Sequence, residues 1–266
     1  MYSVGWFSSG RGPGSRALLA TMKESIDRGE VPARIAFVFC NREQGQDPQT
    51  DLFLEQVRSY GIPLLTLSSR RFREGLDPER RPEWRLHYDR EVMRRLEAHP
   101  VDLVVLAGYM LIVGPEMCHR YTMVNLHPAL PGGPKGTWRE VIWQLIQERA
   151  ERTGAMMHLV TPELDEGPPV TYCGFSLRGE PFERHWDRLE REGLEAIRAA
   201  EGEGFELFKL IREHELKREF PLIVRTVKAF AEGRVRVNEG RPADAAGRPI
   251  APYDLSAEID EIVGPP

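Results

Sequence analysis

The chain has 266 residues, 41% of them hydrophobic and 29% charged, with a formal net charge of -5. That length fits one principal core with additions better than two full domains. No run of about 18 apolar residues exists to span a bilayer, and the excess of acid argues against a general nucleic-acid surface. Cys40, Cys118 and Cys173 share no CxxC spacing and cannot all pair, which argues against a disulfide framework or a zinc site. The opening MYSVGWFSSGRG lacks the basic stretch and cleavage site of a signal peptide, so a cytoplasmic location is expected.

Strand-like apolar runs stand at 3 to 9, 33 to 40, 63 to 68, 101 to 108 and 123 to 127, with helix patterns between and after them at 15 to 28, 50 to 60, 85 to 98 and 137 to 150. Near-continuous apolar strands separated by helices predict an α/β fold, a Rossmann-like and mostly parallel sheet covered on both faces. In such sheets ligands gather at the carboxyl ends of the strands. Residues 155 to 165 and 168 to 178 are β-rich and joined by Asp165-Glu166-Gly167, which predicts an antiparallel addition closed by a tight reversal. From 181 to 219 the chain is charged and helical, as HWDRLEREGLEAIRAA and then FELFKLIREHELKRE, with a break at Glu201 to Gly204. Pro221 fits the first turn of a further helix. The stretch from 236 on is rich in Pro, Gly and Ala and too weakly periodic for its order to be assigned.

The strand ending Val124-Asn125-Leu126-His127-Pro128 carries two polar side chains two residues apart, and alternation turns both to one face. An amide that donates to an oxyanion and an imidazole that moves protons suit acyl transfer. Asp165 is the carboxylate that would complete the set. Taken singly, each has an ordinary structural reading, Asp165 as a turn former above all.

Three ordered motifs add to this. Leu106 to Met110 (LAGYM), Asn125 to Leu130 (NLHPAL) and His158 to Pro168 (HLVTPELDEGP) resemble, in sequence and separation, the folate-dependent formyltransferases, and within them the branch that acts on glycinamide ribonucleotide in purine biosynthesis. The resemblance spans roughly residues 1 to 180 and resumes at Glu219-Phe220-Pro221-Leu222. It implies a core at 1–180, a helical insertion at 181–218 that the family lacks, a returning core helix at 219–235 and a tail at 236–266. It implies 10-formyltetrahydrofolate as co-substrate with no metal, and small-molecule partners with no nucleic acid or membrane. Asn125 and His127 would polarise the formyl oxygen, Asp165 would organise the water and histidine that take the amine proton, and His158 would match a second active-site histidine, with a plain structural role as its other reading.

Folate is expected on Met110, Leu111, Ile112 and Val113, and on Val160, Thr161, Glu163 and Leu164, with His158 nearby. The other reading of Leu111 to Val113 is ordinary core, and Leu111 stands where the family commonly has arginine. The acceptor's phosphate is expected on the loop Gly10, Arg11, Gly12, Gly14, Ser15 and Arg16 before a helix, since free N–H groups at a helix start attract anions. This loop departs from the family by an inserted Pro13 and by Arg16 near an asparagine position, and Arg11 and Arg16 add positive charge. Arg85 matches a family position near the ribonucleotide, or else is a solvated helix arginine. A hydrolase, a transferase for another amine, a non-catalytic binding module and a nicotinamide-binding protein are the competing readings. The last is weakened because no acidic residue closes the second strand at Cys40-Asn41-Arg42-Glu43.

Overall fold

The computed structural model describes residues 1–77, 79 and 83–265. They form two compact units, each gathered from separated stretches. The first holds Met1–Leu126, His158–Pro168 and Val227–Ile250. The second holds His127–Met157, Pro169–Thr226 and the stretch from Ala251 on.

In the first unit, β1 (Tyr2–Ser8), β2 (Ala33–Cys40), β3 (Leu64–Thr66), β4 (Leu103–Leu106) and β5 (Met123–His127) lie in the order β5-β4-β1-β2-β3. All four pairings are parallel, with Trp6 opposite Val38 on one side and Val105 on the other. Val4, Trp6, Phe7, Phe37, Val38, Phe39, Val104 and Val105 are all 0% exposed. Strands buried on both faces show no polar alternation, which is why their sequences read as unbroken apolar runs.

The connecting helices are α1 (Pro13–Asp27), α2 (Pro48–Ser59), α3 (Ser69–Glu74), α4 (Trp84–Leu96) and α5 (Pro115–Arg120). Proline opens α1, α2 and α5, where its missing N–H costs nothing. A core cluster around Phe7, Phe37, Phe39, Tyr88, Val92 and Tyr109 seals one side. Each such side chain contributes about 1.5–3 kcal/mol on burial. The chain leaves β1 toward β2 and β3 and returns on the other flank of β1 as β4. The loops after β1 and β4 therefore diverge at the switch in direction, where open parallel sheets hold ligands.

The second unit contains α6 (Trp138–Gln147), most of β6 (Arg152–Leu159), β7 (Pro169–Ser176), α7 (Glu183–Glu192), α8 (Leu194–Glu201) and the larger part of α9 (Glu206–Ala231). Leu177 N donates to Glu151 O and Leu159 N to Pro168 O, so β6 and β7 run antiparallel as expected. Phe182, Trp186, Leu189, Ile197, Phe205, Phe208 and Ile211 pack with Val141, Ile142, Leu145 and Ile146 of α6. The helices after residue 181 thus supply part of this unit's own core.

Two local expectations differ from the structure. HWDRLEREGLEAIRAA is two helices, because Gly193 adopts φ 82 and ends α7. Conversely, Pro221 starts no helix: it lies inside the 26-residue α9, so the boundary expected at 218/219 falls mid-helix. An interior proline costs about 3 kcal/mol. Burial of Leu207, Phe208, Ile211, Leu222 and Ile223 along the same helix outweighs it. The tail is ordered as well: β8 (Arg236–Asn238) and β9 (Arg241–Ala243) form an antiparallel hairpin, β10 (Tyr253–Asp254) pairs parallel with β7, and α10 (Ser256–Val263) follows. No helix among the described residues is long and apolar enough to cross a membrane.

Candidate functional site

Asn125 lies on β5, and the end of β6 is fixed beside it because Val160 N donates to Met123 O at 2.9 Å. That bond brings His158 Nε2 to 3.1 Å from Asn125 Nδ2. His158 Nδ1 is 2.9 Å from Leu159 O. A carbonyl only accepts, so Nδ1 carries the proton and Nε2 presents its lone pair to the Asn125 amide. The amide's orientation follows, with its oxygen turned away from the ring.

Asp165 Oδ1 is 3.7 Å from the same Nε2, beyond hydrogen-bond reach but close enough to stabilise a proton placed there. The side chains of His158 and Asp165 are only 3% and 8% exposed. At that burial, Coulomb attraction is much stronger than in water.

The turn that presents Asp165 is not a tight reversal. Nine residues, 160 to 168, separate the strands, and the loop is closed at its base by Leu159 N donating to Pro168 O. The residue in the left-handed region is Asp165 itself, at φ 55, a conformation that aspartate tolerates better than most. Gly167 is required for a different reason. A Cβ there would sit 1.7 Å from Leu159 O and 3.3 Å from His158 Nδ1.

His127 belongs to the second unit and is 2% exposed. Its Nε2 lies 2.9 Å from Pro134 O, so Nε2 bears the proton and Nδ1 is the ring's basic nitrogen. Of the expected trio, Asn125 and Asp165 are joined through His158, which the sequence reading grouped with the folate residues and matched to a second active-site histidine of the family.

The two expected folate loops carry exposed apolar side chains, Met110 at 46% and Leu164 at 53%. Leu111 and Val160 pack against the first unit's core cluster, and Val113 is a member of it at 3% exposure. Val113 can therefore offer a ligand only its backbone, and its carbonyl lies 3.8 Å from Cys118 Sγ. Met110 N is already taken by Ser9 Oγ at 2.9 Å, which removes it from pterin recognition. Ile112 is half-buried, and Thr161 Oγ1 donates to Glu163 O.

In the loop after β1, Gly10 adopts φ 59 against Phe53, so the fold itself demands glycine. Gly12 and Gly14 differ, because a Cβ at either would meet nothing within 4 Å. Gly12 caps α1 without a side-chain bond, and the first turn holds no acidic residue. Ser15 Oγ lies above Gly108, 3.4 Å from where a Cβ would be.

Arg11 is exposed, and its guanidinium is held below its ordinary pKa by burial and by the charge of Arg42, with Asp47 acting against them. Arg16 turns away: its guanidinium donates to Gln49 Oε1 at 2.8 Å. Arg85 is exposed on α4, stacked over Trp84.

Three residues escaped the sequence reading. Arg42 follows β2 and donates to Thr50 Oγ1, which donates in turn to Gly10 O. Asp89, 4% exposed, accepts the N–H of Gly114 at 2.7 Å and so anchors the far end of the 107–114 loop. Burial pushes its carboxyl up to about 6, against the pull of the Gly114 N–H and of Arg85. Its signal was legible, since an acid on the apolar stripe of α4 beside Tyr88, Val92 and Met93 needs a partner. Ser9, the third, offered none, because its partners are about a hundred residues away.

Residues 6–174 match the family model described as formyl transferase. The phosphoribosylglycinamide formyltransferase of Escherichia coli is 32% identical over 165 residues, which cover 61% of this chain and 67% of that one. The enzyme of the same name from Schizosaccharomyces pombe is 30% identical over 169 residues, or 61% and 76%. Among solved structures, glycinamide ribonucleotide transformylase 1 from Symbiobacterium toebii shares the fold at a TM-score of 0.65 and 24% identity, covering 92% of this chain and 94% of that one. A formyltetrahydrofolate deformylase from Burkholderia mallei shares it at 0.60 and 20% identity, covering 91% and 69%. With the model matched over more than half its length, the chain belongs to the formyl transferase family.

Proposed function

We propose that the protein is a phosphoribosylglycinamide formyltransferase. The observation that carries this reading is the Asn125–His158–Asp165 cluster, in which an oriented amide, a basic ring nitrogen and a buried carboxylate meet. 10-Formyltetrahydrofolate supplies the formyl carbon, and glycinamide ribonucleotide supplies the primary amine. The amine nitrogen bonds to the formyl carbon, the bond from that carbon to N10 of the folate breaks, and one amine proton ends on the folate nitrogen. A formamide and tetrahydrofolate result.

One N–H of Asn125 is spent on His158 Nε2, and its second N–H is the donor for the charge that grows on the formyl oxygen. The family resemblance gives His127 a part in the same task, which it performs as an imidazolium donating through Nδ1, because its Nε2–H is given to Pro134 O. The proton leaving the amine is taken up on the Asp165 carboxylate side, while His158 Nε2, occupied by the Asn125 N–H, keeps the amide aimed. Met110 and Leu164 supply apolar cover for the pterin. Backbone groups of Leu111, Ile112 and Val113, and of Val160, Thr161, Glu163 and Leu164, supply its polar partners.

The acceptor phosphate is assigned to Gly12, Gly14 and Ser15 at the start of α1, with Gly10 shaping the turn and Arg11 adding charge. The open space over Gly12 and Gly14 supports this, because the fold alone gives no reason for glycine there. Arg16 and Arg85 have a lesser claim, given their contacts with Gln49 and Trp84.

Tetrahydrofolate release measured with and without glycinamide ribonucleotide tests the reading. Release that requires the acceptor, with one formylated product per turnover, is expected. Release in water alone would make the protein a hydrolase, and no release in either case would overturn the assignment.

A further inference from the structure

Ser9 is the first residue after β1 and is 0% exposed. Its N–H donates to Gly108 O at 2.9 Å, and its Oγ accepts the N–H of Met110 at 2.9 Å. One residue thus clips the opening of the 9–16 loop to two successive amides of the 107–114 loop. The contact is doubled by Ser15 Oγ, which lies over Gly108. The flanks are tied as well: Ser8 Oγ accepts Gly10 N and Asp89 holds Gly114 N.

Removing the Ser9 hydroxyl leaves the Met110 N–H without the acceptor that holds it. These two loops leave the carboxyl ends of the neighbouring strands β1 and β4, at the switch in strand direction.

We propose that Ser9 is a positioning residue that couples the two substrates, so that occupation of one loop tightens binding at the other. The inference rests on the reading above, in which the 9–16 loop takes a phosphate monoester and the 107–114 loop takes a folate. A ligand that shifts either loop shifts the other through Ser9, which is bonded to both, and the second ligand then meets a loop already moved. Coupling of this kind is reciprocal and amounts to about 5–150-fold in affinity where it operates.

The test uses tetrahydrofolate and glycinamide ribonucleotide, neither of which carries a formyl group, so no turnover occurs. Tetrahydrofolate is titrated calorimetrically into the full chain with and without saturating ribonucleotide. The wild-type protein is expected to bind it at least about five-fold more tightly in the ternary case. In Ser9→Ala the ratio is expected to fall below about two, at unchanged melting cooperativity. Ser9→Cys, which keeps the shape and accepts hydrogen bonds poorly, is expected to do the same. A merely structural serine would weaken both binary affinities and leave their ratio intact. A variant ratio equal to wild type, or a wild-type ratio of one, overturns the proposal. Failure of the wild type to bind either ligand at all overturns the formyl-transfer reading beneath it.

Discussion

On the proposed reading, the loop between β6 and β7 with its flanking strands and the loop after β1 meet their ligands by opposite means. In the first, side chains carry the proposed chemistry: Asn125 lies 3.1 Å and Asp165 3.7 Å from His158 Nε2, and Gly167 is glycine because the protein's own backbone crowds it. In the second, backbone is offered. Gly12 and Gly14 face open space, Arg16 is engaged with Gln49, and Arg11 brings charge near the helix start. Reaction chemistry needs acids and bases at defined separations, whereas a phosphate needs N–H groups and positive charge over a broader area. The first region should thus be intolerant of single side-chain changes and the second comparatively tolerant.

Asp165→Asn is the sharpest way to break that contrast. It keeps the shape and removes the proton acceptor, and kcat should fall by about 10²- to 10⁴-fold in a formyl-transfer assay. An unchanged kcat would remove the carboxylate from the chemistry. Gly167→Ala should come next, because the added methyl forces the turn off Leu159 O and shifts His158. A displacement near 1 Å costs about 10²-fold in rate. Steady-state kinetics with both substrates would read it, and wild-type turnover would contradict the crowded geometry.

On the other side, Arg11→Ala should raise KM for the phosphorylated acceptor about ten-fold with kcat nearly kept, the loss of one charge-assisted contact. Arg16→Ala should change it by less than about two-fold, because its guanidinium is committed to Gln49. Equal effects of the two would mean that Arg16 exchanges partners when the ligand binds.

The smallest effect on activity is expected at Asp89, whose change should appear in stability. Its carboxyl titrates near 6 in the native state against an ordinary 3.8. The folded protein therefore holds a proton that the unfolded chain has released. The contribution is full below about pH 4 and is lost as pH rises through about 6. Urea unfolding should show this loss in the wild type, about 3 kcal/mol at most. Asp89→Asn should lack it, and matching pH profiles would refute the assignment.

The same contrast explains what the sequence could disclose. Strands β1 to β5 were legible because burial on both faces leaves an apolar run, and the place of Asn125 and His127 on β5 came with them. The motif order carried Asp165. The link through His158 was hidden, since it depends on Val160 meeting Met123 and Leu159 meeting Pro168, contacts between residues far apart in the chain or across a loop. Pro221 misled, because local propensity cannot register the apolar burial along α9 that holds one helix together across it. Arg16 looked equivalent to Arg11 in sequence, and only Gln49 on α2 distinguishes them.

A crystal structure of the protein with tetrahydrofolate and glycinamide ribonucleotide would test the central claim most directly. The account predicts the phosphate on the Gly12 and Gly14 amides and the Ser15 hydroxyl beside Arg11, the pterin under Met110 and Leu164, and the acceptor amine within reach of Asn125 and Asp165. A phosphate bound elsewhere, or an amine remote from Asp165, would contradict it.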